Sequence, residues 1–209
     1  LFMVSVLWAN KQQIKRRRMT TVRIPAWNEE GVLPPVDPED HSGTTDLRAP
    51  YVVDLVDFVT RFATSPERRE ILKGFLDYRA ALHATGLIRG FQWLNGSFTE
   101  NVEVLEARPP RDIDVVTFVD FPEDSGFPGK LPDVFDPWLT RARYRVDGYY
   151  VETGFQPPEA LVERIAYWYS MWSHRRDGLW KGFLQLDLYQ ARDADAREWL
   201  MLNAGEVQS

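Results

Sequence analysis

Apolar residues recur at three- and four-residue intervals through Val52, Leu55, Val56, Val59 and Phe62, the spacing of one helix face, so a helix is expected from Tyr51. Ser65-Pro66-Glu67 then supplies an N-cap, a first-turn proline and an early acid for a second helix. Ile71, Leu72, Phe75, Leu76 and Leu82 stripe that helix and Gly86 stops it. Beyond Gly86 the period shortens. Residues 87–94 read as a strand, Asn95-Gly96-Ser97 as a sharp turn, and 98–105 as a short helix. Residues 111–121 read as a second strand, with Ile113, Val115, Val116, Phe118 and Val119 set around its acids. Gly126, Pro128, Gly129 and Pro132 break the chain into a loop. A short helix over 133–143, a third strand over 144–152, a long helix opened by Pro157-Pro158-Glu159, a fourth strand over 179–189 and a closing helix over 194–202 complete the pattern. No repeat or low-complexity tract interrupts it. The expected class is α/β (α+β): one mixed sheet flanked by helices.

That unit spans 51–209. Residues 19–50 form an irregular lead-in, rich in Pro, Gly, Asp and Glu, which Trp27 and the pair Val32-Leu33 are expected to pin to the body. Residues 1–18 differ in character: an apolar run followed by Lys11, Lys15, Arg16, Arg17 and Arg18. A secretory signal has the reverse order, and ten apolar residues do not span a bilayer. With Met19 reading as a natural start, 1–18 are expected to be an upstream extension.

The net charge is -6, and since 1–18 carry +5, the remainder carries -11. So acidic a body argues against long nucleic acid as a partner, and nothing in the pattern calls for a membrane. Cysteine is absent, which excludes disulfides, thiolate zinc sites and a cysteine nucleophile and fits a cytoplasmic setting. Three histidines without an HExxH pattern do not build a metal centre.

The chemistry concentrates in two places. Along a strand, residues two apart point the same way, so Asp112 and Asp114 present paired carboxylates while Ile113 packs on the opposite face. Such a pair suits a hard cation, Mg²⁺ or Mn²⁺, that bridges phosphates. A second pair, Asp193 and Asp195, reads as acids at a helix start. Upstream, Gly96-Ser97 ends a strand and opens a helix. Ser97 with Glu100 spells a capping box, and the same helix start would admit a phosphate. The basic segment His174–Lys181 offers Arg175, Arg176 and Lys181 either to phosphate or to the preceding helix's C-terminal dipole. His83, near a helix end, reads as surface or dipole chemistry. The aromatic run Tyr167, Trp168, Tyr169, Met171 and Trp172 reads as core packing in preference to a base-stacking platform.

Trp93-Leu94-Asn95-Gly96-Ser97 followed by Asp112-Ile113-Asp114-Val115 resembles the hG[GS]…Dh[DE]h signature of the polymerase-β-like nucleotidyltransferase superfamily. The stretch 25–188, including Ile24-Pro25-Ala26-Trp27-Asn28-Glu29-Glu30, resembles an uncharacterised bacterial branch of it. Fourteen residues separate Ser97 from Asp112, a long spacing that an extra turn at 106–110 would absorb. The resemblance implies a nucleotidyltransferase-like sheet and a third carboxylate on a later strand, Asp147, with Asp187 as the competitor. It also implies a nucleoside triphosphate such as ATP, with Asp112, Asp114 and Asp147 holding divalent metal and Gly96 and Ser97 on the nucleotide, where the basic cluster Arg175, Arg176 and Lys181 would bind phosphate or the acceptor. The acceptor would be a small molecule, a protein or an RNA end. A different class of function is a catalytically inactive nucleotide-sensing or protein-binding module, as in a toxin-antitoxin or defence system.

Overall fold

The computed structural model describes residues 21–40, 45, 47–121, 133–154 and 156–203. The expected extension at 1–18 and the breakers Gly126, Pro128, Gly129 and Pro132 lie outside the described residues. In chain order the elements are β1 (Tyr51–Val52), α1 (Leu55–Phe62), α2 (Pro66–Ala84), β2 (Gly90–Asn95), a 3₁₀ turn (Ser97–Thr99), α3 (Val102–Leu105), β3 (Ile113–Val119), α4 (Pro137–Tyr144), β4 (Val146–Glu152), α5 (Pro158–Trp172), β5 (Leu184–Asp187) and α6 (Asp193–Leu202). The five strands form one mixed sheet in the order β1-β5-β2-β3-β4. β2 runs antiparallel to both β3 and β5, whereas β3–β4 and β1–β5 are parallel. The class is therefore α+β, with helices on both faces of the sheet.

Four expectations are corrected. Tyr51 and Val52 do not begin a helix; they pair with Leu184 and Gln185 as a fifth strand, and α1 starts at Leu55, capped by the Asp54 side chain. The strand expected over 179–189 shortens to 184–187, because 174–180 folds back in a tight turn at Gly178 (φ +88°), closed by a bridge between His174 and Trp180. The helix expected over 98–105 splits into the 3₁₀ turn and a four-residue α3. The capping box is not made: Ser97 makes no side-chain cap, and the Glu100 carboxylate turns to Lys181 instead.

Side chains alternate across the sheet. One face meets α2, where Tyr78 Oη lies 2.8 Å from Tyr150 Oη and 3.4 Å from Thr117 Oγ1. The opposite face carries Trp93, whose Nε1 donates to Gln185 Oε1 at 2.9 Å; its ring meets those of Tyr169 on α5 and Phe183, and Phe183 in turn meets Trp172. The lead-in is tied down where it passes the strand ends. Trp27 Nε1 donates to the Thr99 carbonyl at 2.8 Å, Val32 and Leu33 are buried, and Gly182 N–H donates to the Leu33 carbonyl.

α2 also buries charge. Arg68 and Arg79 are both fully buried, eleven residues apart and so on one face three turns along. Arg68 bonds the Glu103 carboxylate with Nε and Nη2 and the carbonyls of Phe98 and Glu100. Arg79 grips Asp193 at 3.0 and 2.8 Å and Gln92 Oε1 at 2.7 Å, with the Asp187 and Leu188 carbonyls behind. Asp193 does start α6, as expected, but its role is to neutralise Arg79 inside the protein. His83 joins the same cluster: its Nε2 lies 2.7 Å from the Leu188 carbonyl, and burial holds the ring below the usual imidazole value. Removing the carboxylate in Asp193→Ala leaves a buried guanidinium unpaired, so urea unfolding should show a loss of about 3–5 kcal/mol. A loss below about 1 kcal/mol would mean that the pair is not a determinant of stability.

Candidate functional site

The strand register assembles the site. Asn95, the last residue of β2, is opposite Asp114 on β3, and Asp114 is opposite Asp147 on β4. Asp112 lies two residues before Asp114, so all three carboxylates approach one end of the sheet, on the face that α5 covers. Gly96 follows directly, with φ +83°. A Cβ added there would lie 2.5 Å from Asp114 Oδ2, so only glycine allows the turn this near the carboxylate. These residues line a cleft of about 1060 Å³, together with Ser97, Arg175, Arg176 and Lys181.

Asp187 is elsewhere. It pairs with Phe91, four residues back along β2 from Asn95, roughly 13 Å at about 3.3 Å per residue. Its carboxylate caps the Tyr189 N–H. Of the two candidates for a third carboxylate, Asp147 is the one that the fold brings beside Asp114.

Each basic residue has a distinct setting. Lys181 is buried and its Nζ pairs with the buried Glu100 carboxylate. Arg175 is held by Asp177 at 3.4 Å and more loosely by Glu100 at 3.9 Å. On the other side, Arg108 pairs with Glu106 at 2.7 Å; the long spacing before Asp112 thus builds a wall of the cleft. Among the described residues, Asp114, Arg111 and Arg176 are the cleft charges without an ion pair.

Sequence reasoning missed Arg141. From α4 it lies 2.9 Å from Asp112 Oδ2 through Nε and 2.5 Å from Asp147 Oδ2 through Nη2. Its one legible signal is position, since the last turn of a helix joining parallel strands ends beside the start of the second strand. Tyr149 was missed as well; it stands in the cleft and donates its hydroxyl to Asp147 Oδ2 at 3.2 Å. The aromatic run of α5 is not plain core. Trp172 alone is buried, while Tyr167, Trp168 and Met171 line the cleft and the Trp168 ring stands 4.8 Å from that of Tyr149. The expected helix-start phosphate site is also revised, because a three-residue 3₁₀ turn has almost no dipole to offer.

A five-stranded mixed sheet, helices on both faces and a carboxylate-floored cleft at one end define the class of protein. The chain belongs to a family of unknown function, DUF6932, whose profile matches residues 25–187. Comparison with curated proteins and with solved structures gave no match. Among the described residues no helix is long and apolar enough to cross a membrane.

The electrostatics of the cleft have a measurable consequence. Burial, then Asp112 and Asp147, push Asp114 up to about 6, against the opposing pull of Lys181 and Arg141. An acid held more tightly protonated in the fold than in the unfolded chain stabilises the fold fully below its unfolded value of 3.8. That contribution is lost as pH rises through about 6. In metal-free buffer at pH 7.5, Asp114→Asn should therefore exceed the wild type in stability by roughly 1–3 kcal/mol, an advantage that shrinks towards pH 4. Melting curves across that range check it; a variant less stable than wild type at pH 7.5 would contradict the crowding at Asp114.

Proposed function

We propose that the protein is a metal-dependent nucleotidyltransferase of the polymerase-β-like kind, with a nucleotidyltransferase-like sheet. It would move a nucleotidyl group from a nucleoside triphosphate, ATP among them, to an acceptor hydroxyl. One observation carries this reading: the turn at Gly96-Ser97 lies against Asp114, so close that a Cβ added at Gly96 would stand 2.5 Å from Asp114 Oδ2. A phosphate held at that turn is then within reach of anything held by Asp112, Asp114 and Asp147.

Three carboxylates offer the hard oxygen donors that Mg²⁺ or Mn²⁺ prefers, and the crowding at Asp114 is what a divalent cation relieves. Asp112, Asp114 and Asp147 would hold it; when bound, the metal supplies charge neutralisation and alignment of the triphosphate for in-line attack. Among the described residues no three such groups are arranged to hold a metal ion as they stand; Arg141 bridges Asp112 and Asp147 there. Arg176 and Arg111 are the cations free to take phosphate oxygens, and the Ser97 hydroxyl adds a donor at the turn. Lys181 and Arg175 act differently from the direct contacts that the sequence suggests: paired to Glu100 and Asp177, they contribute through their field. Asp147, on the edge strand beside Tyr149, would receive a proton from the acceptor hydroxyl. The Tyr149 and Trp168 rings offer a face on which a base stacks without strong sequence preference. A cytoplasmic setting and an acceptor that is a small molecule, a protein or an RNA end complete the proposal.

The bridging Arg141 favours one alternative, a nucleotide-sensing or protein-binding module in which the carboxylates stay neutralised. Melting of the full chain with Mg²⁺ and each triphosphate separates the possibilities. At a hundredfold excess over Kd the ligand should add about 2.7 kcal/mol to wild-type stability, and Asp112→Asn/Asp114→Asn should lose that response. Pyrophosphate release across an acceptor panel marks the enzyme; stabilisation without release marks the module. No response from either protein would remove the basis for both.

A further inference from the structure

We infer that Arg141 is the resident counter-ion of the carboxylate cluster, and that a divalent cation enters only by displacing it. This rests on the reading of Asp112, Asp114 and Asp147 as a metal site, and goes beyond it by naming what occupies that site in the absence of metal.

The backbone that carries Arg141 is fixed. Gly74 of α2 lies so near α4 that an added Cβ would stand 2.2 Å from the Tyr144 carbonyl oxygen. Arg145, in the left-handed region at φ +55°, ends α4, and its carbonyl accepts the Ile113 N–H at 3.0 Å. The last turn of α4 is therefore bound to the start of β3, next to Asp112.

The side chain is not fixed in the same way. It is 51% exposed although it touches two carboxylates, so it can swing into solvent without opening a cavity. Arg143, on the same helix, lies over the Tyr144 ring and takes no part in the cluster.

The contacts set the two occupants in competition. Arg141 engages Oδ2 of Asp112 and Oδ2 of Asp147, the outer members of the cluster. An ion shared by the carboxylates would draw on the same two groups. One guanidinium among three carboxylates also leaves Asp114 without an ion pair, whereas a divalent ion would compensate more of the charge. A purely structural arginine and a competing one differ in sign: loss of either lowers the stability of the metal-free protein, but only loss of a competitor raises metal affinity.

The test uses the full chain, melting in EDTA, and Mn²⁺ titration followed by the signal of the free ion, with no nucleotide or activity involved. Arg141→Gln should melt about 1–4 °C lower in EDTA and bind Mn²⁺ about three- to tenfold more tightly, since exposed ion pairs are individually weak. Arg141→Lys, whose single ammonium lacks the planar fork, should fall between the two proteins; if Arg141→Gln does not fold, the sign of the change in Arg141→Lys decides. Equal or weaker Mn²⁺ binding by the variants overturns the inference and leaves the metal site standing. Absence of Mn²⁺ binding in wild type and variants alike overturns both.

Discussion

The structure depends on the charge that α2 carries into the interior. A buried guanidinium is tolerated only when its donors are satisfied and its charge is compensated, so Arg68 and Arg79 dictate what surrounds them. Arg79 requires Asp193, which fixes where α6 starts, and takes the carbonyls at the end of β5. Arg68 requires Glu103 and the carbonyls of Phe98 and Glu100, which fixes the path of the chain leaving β2. Glu100, so placed, meets Lys181 from the opposite side of the cleft floor. The turn at Gly96 is thus held from below by a helix that lines no part of the cleft.

Against this well-compensated interior, the cleft is a region of unresolved charge. Asp112 and Asp147 converge on Asp114, and burial together with their charges pushes its carboxyl up. A fold selected only for stability would place an amide or an aliphatic side chain there. Retaining a carboxylate, and a glycine that alone fits against it, is the pattern expected where stability is given up for binding or chemistry.

Most of the fold was legible because its elements are long or strongly patterned. Ser65-Pro66 announced α2, and alternation around Ile113 and Val115 announced β3. β1 escaped because two residues carry no period, and its pairing with β5 comes from the far end of the chain. The buried arginines were written in the pattern but discounted: positions 68, 71, 72, 75, 79 and 82 are one stripe, and reading only its apolar members hid the charged ones. At the site, residues joined by strand spacing or a local turn were found, Asp112, Asp114, Gly96 and Ser97 among them. Arg141 was overlooked, because only the crossover from β3 to β4 brings it to Asp112. The aromatics of α5 misled for a related reason. Ring-rich helices usually bury their rings, but here part of the sheet face below α5 is the cleft itself.

The charge balance bears on how a protein this acidic would receive the proposed anion. Six basic side chains line the cleft (Arg108, Arg111, Arg141, Arg175, Arg176 and Lys181), against six acidic ones (Glu100, Glu106, Asp112, Asp114, Asp147 and Asp177). A neutral pocket in a body carrying -11 over residues 19–209 is the place where a phosphate meets least repulsion. The pairing inside the cleft sharpens the point. Most of its cations are committed to neighbouring carboxylates, leaving Arg111 and Arg176 at the rim and Asp114 on the floor as the unpaired charges. A ligand that is negative where it meets the rim and brings a cation to the floor answers all three at once, which is the charge pattern of a metal-bound polyphosphate.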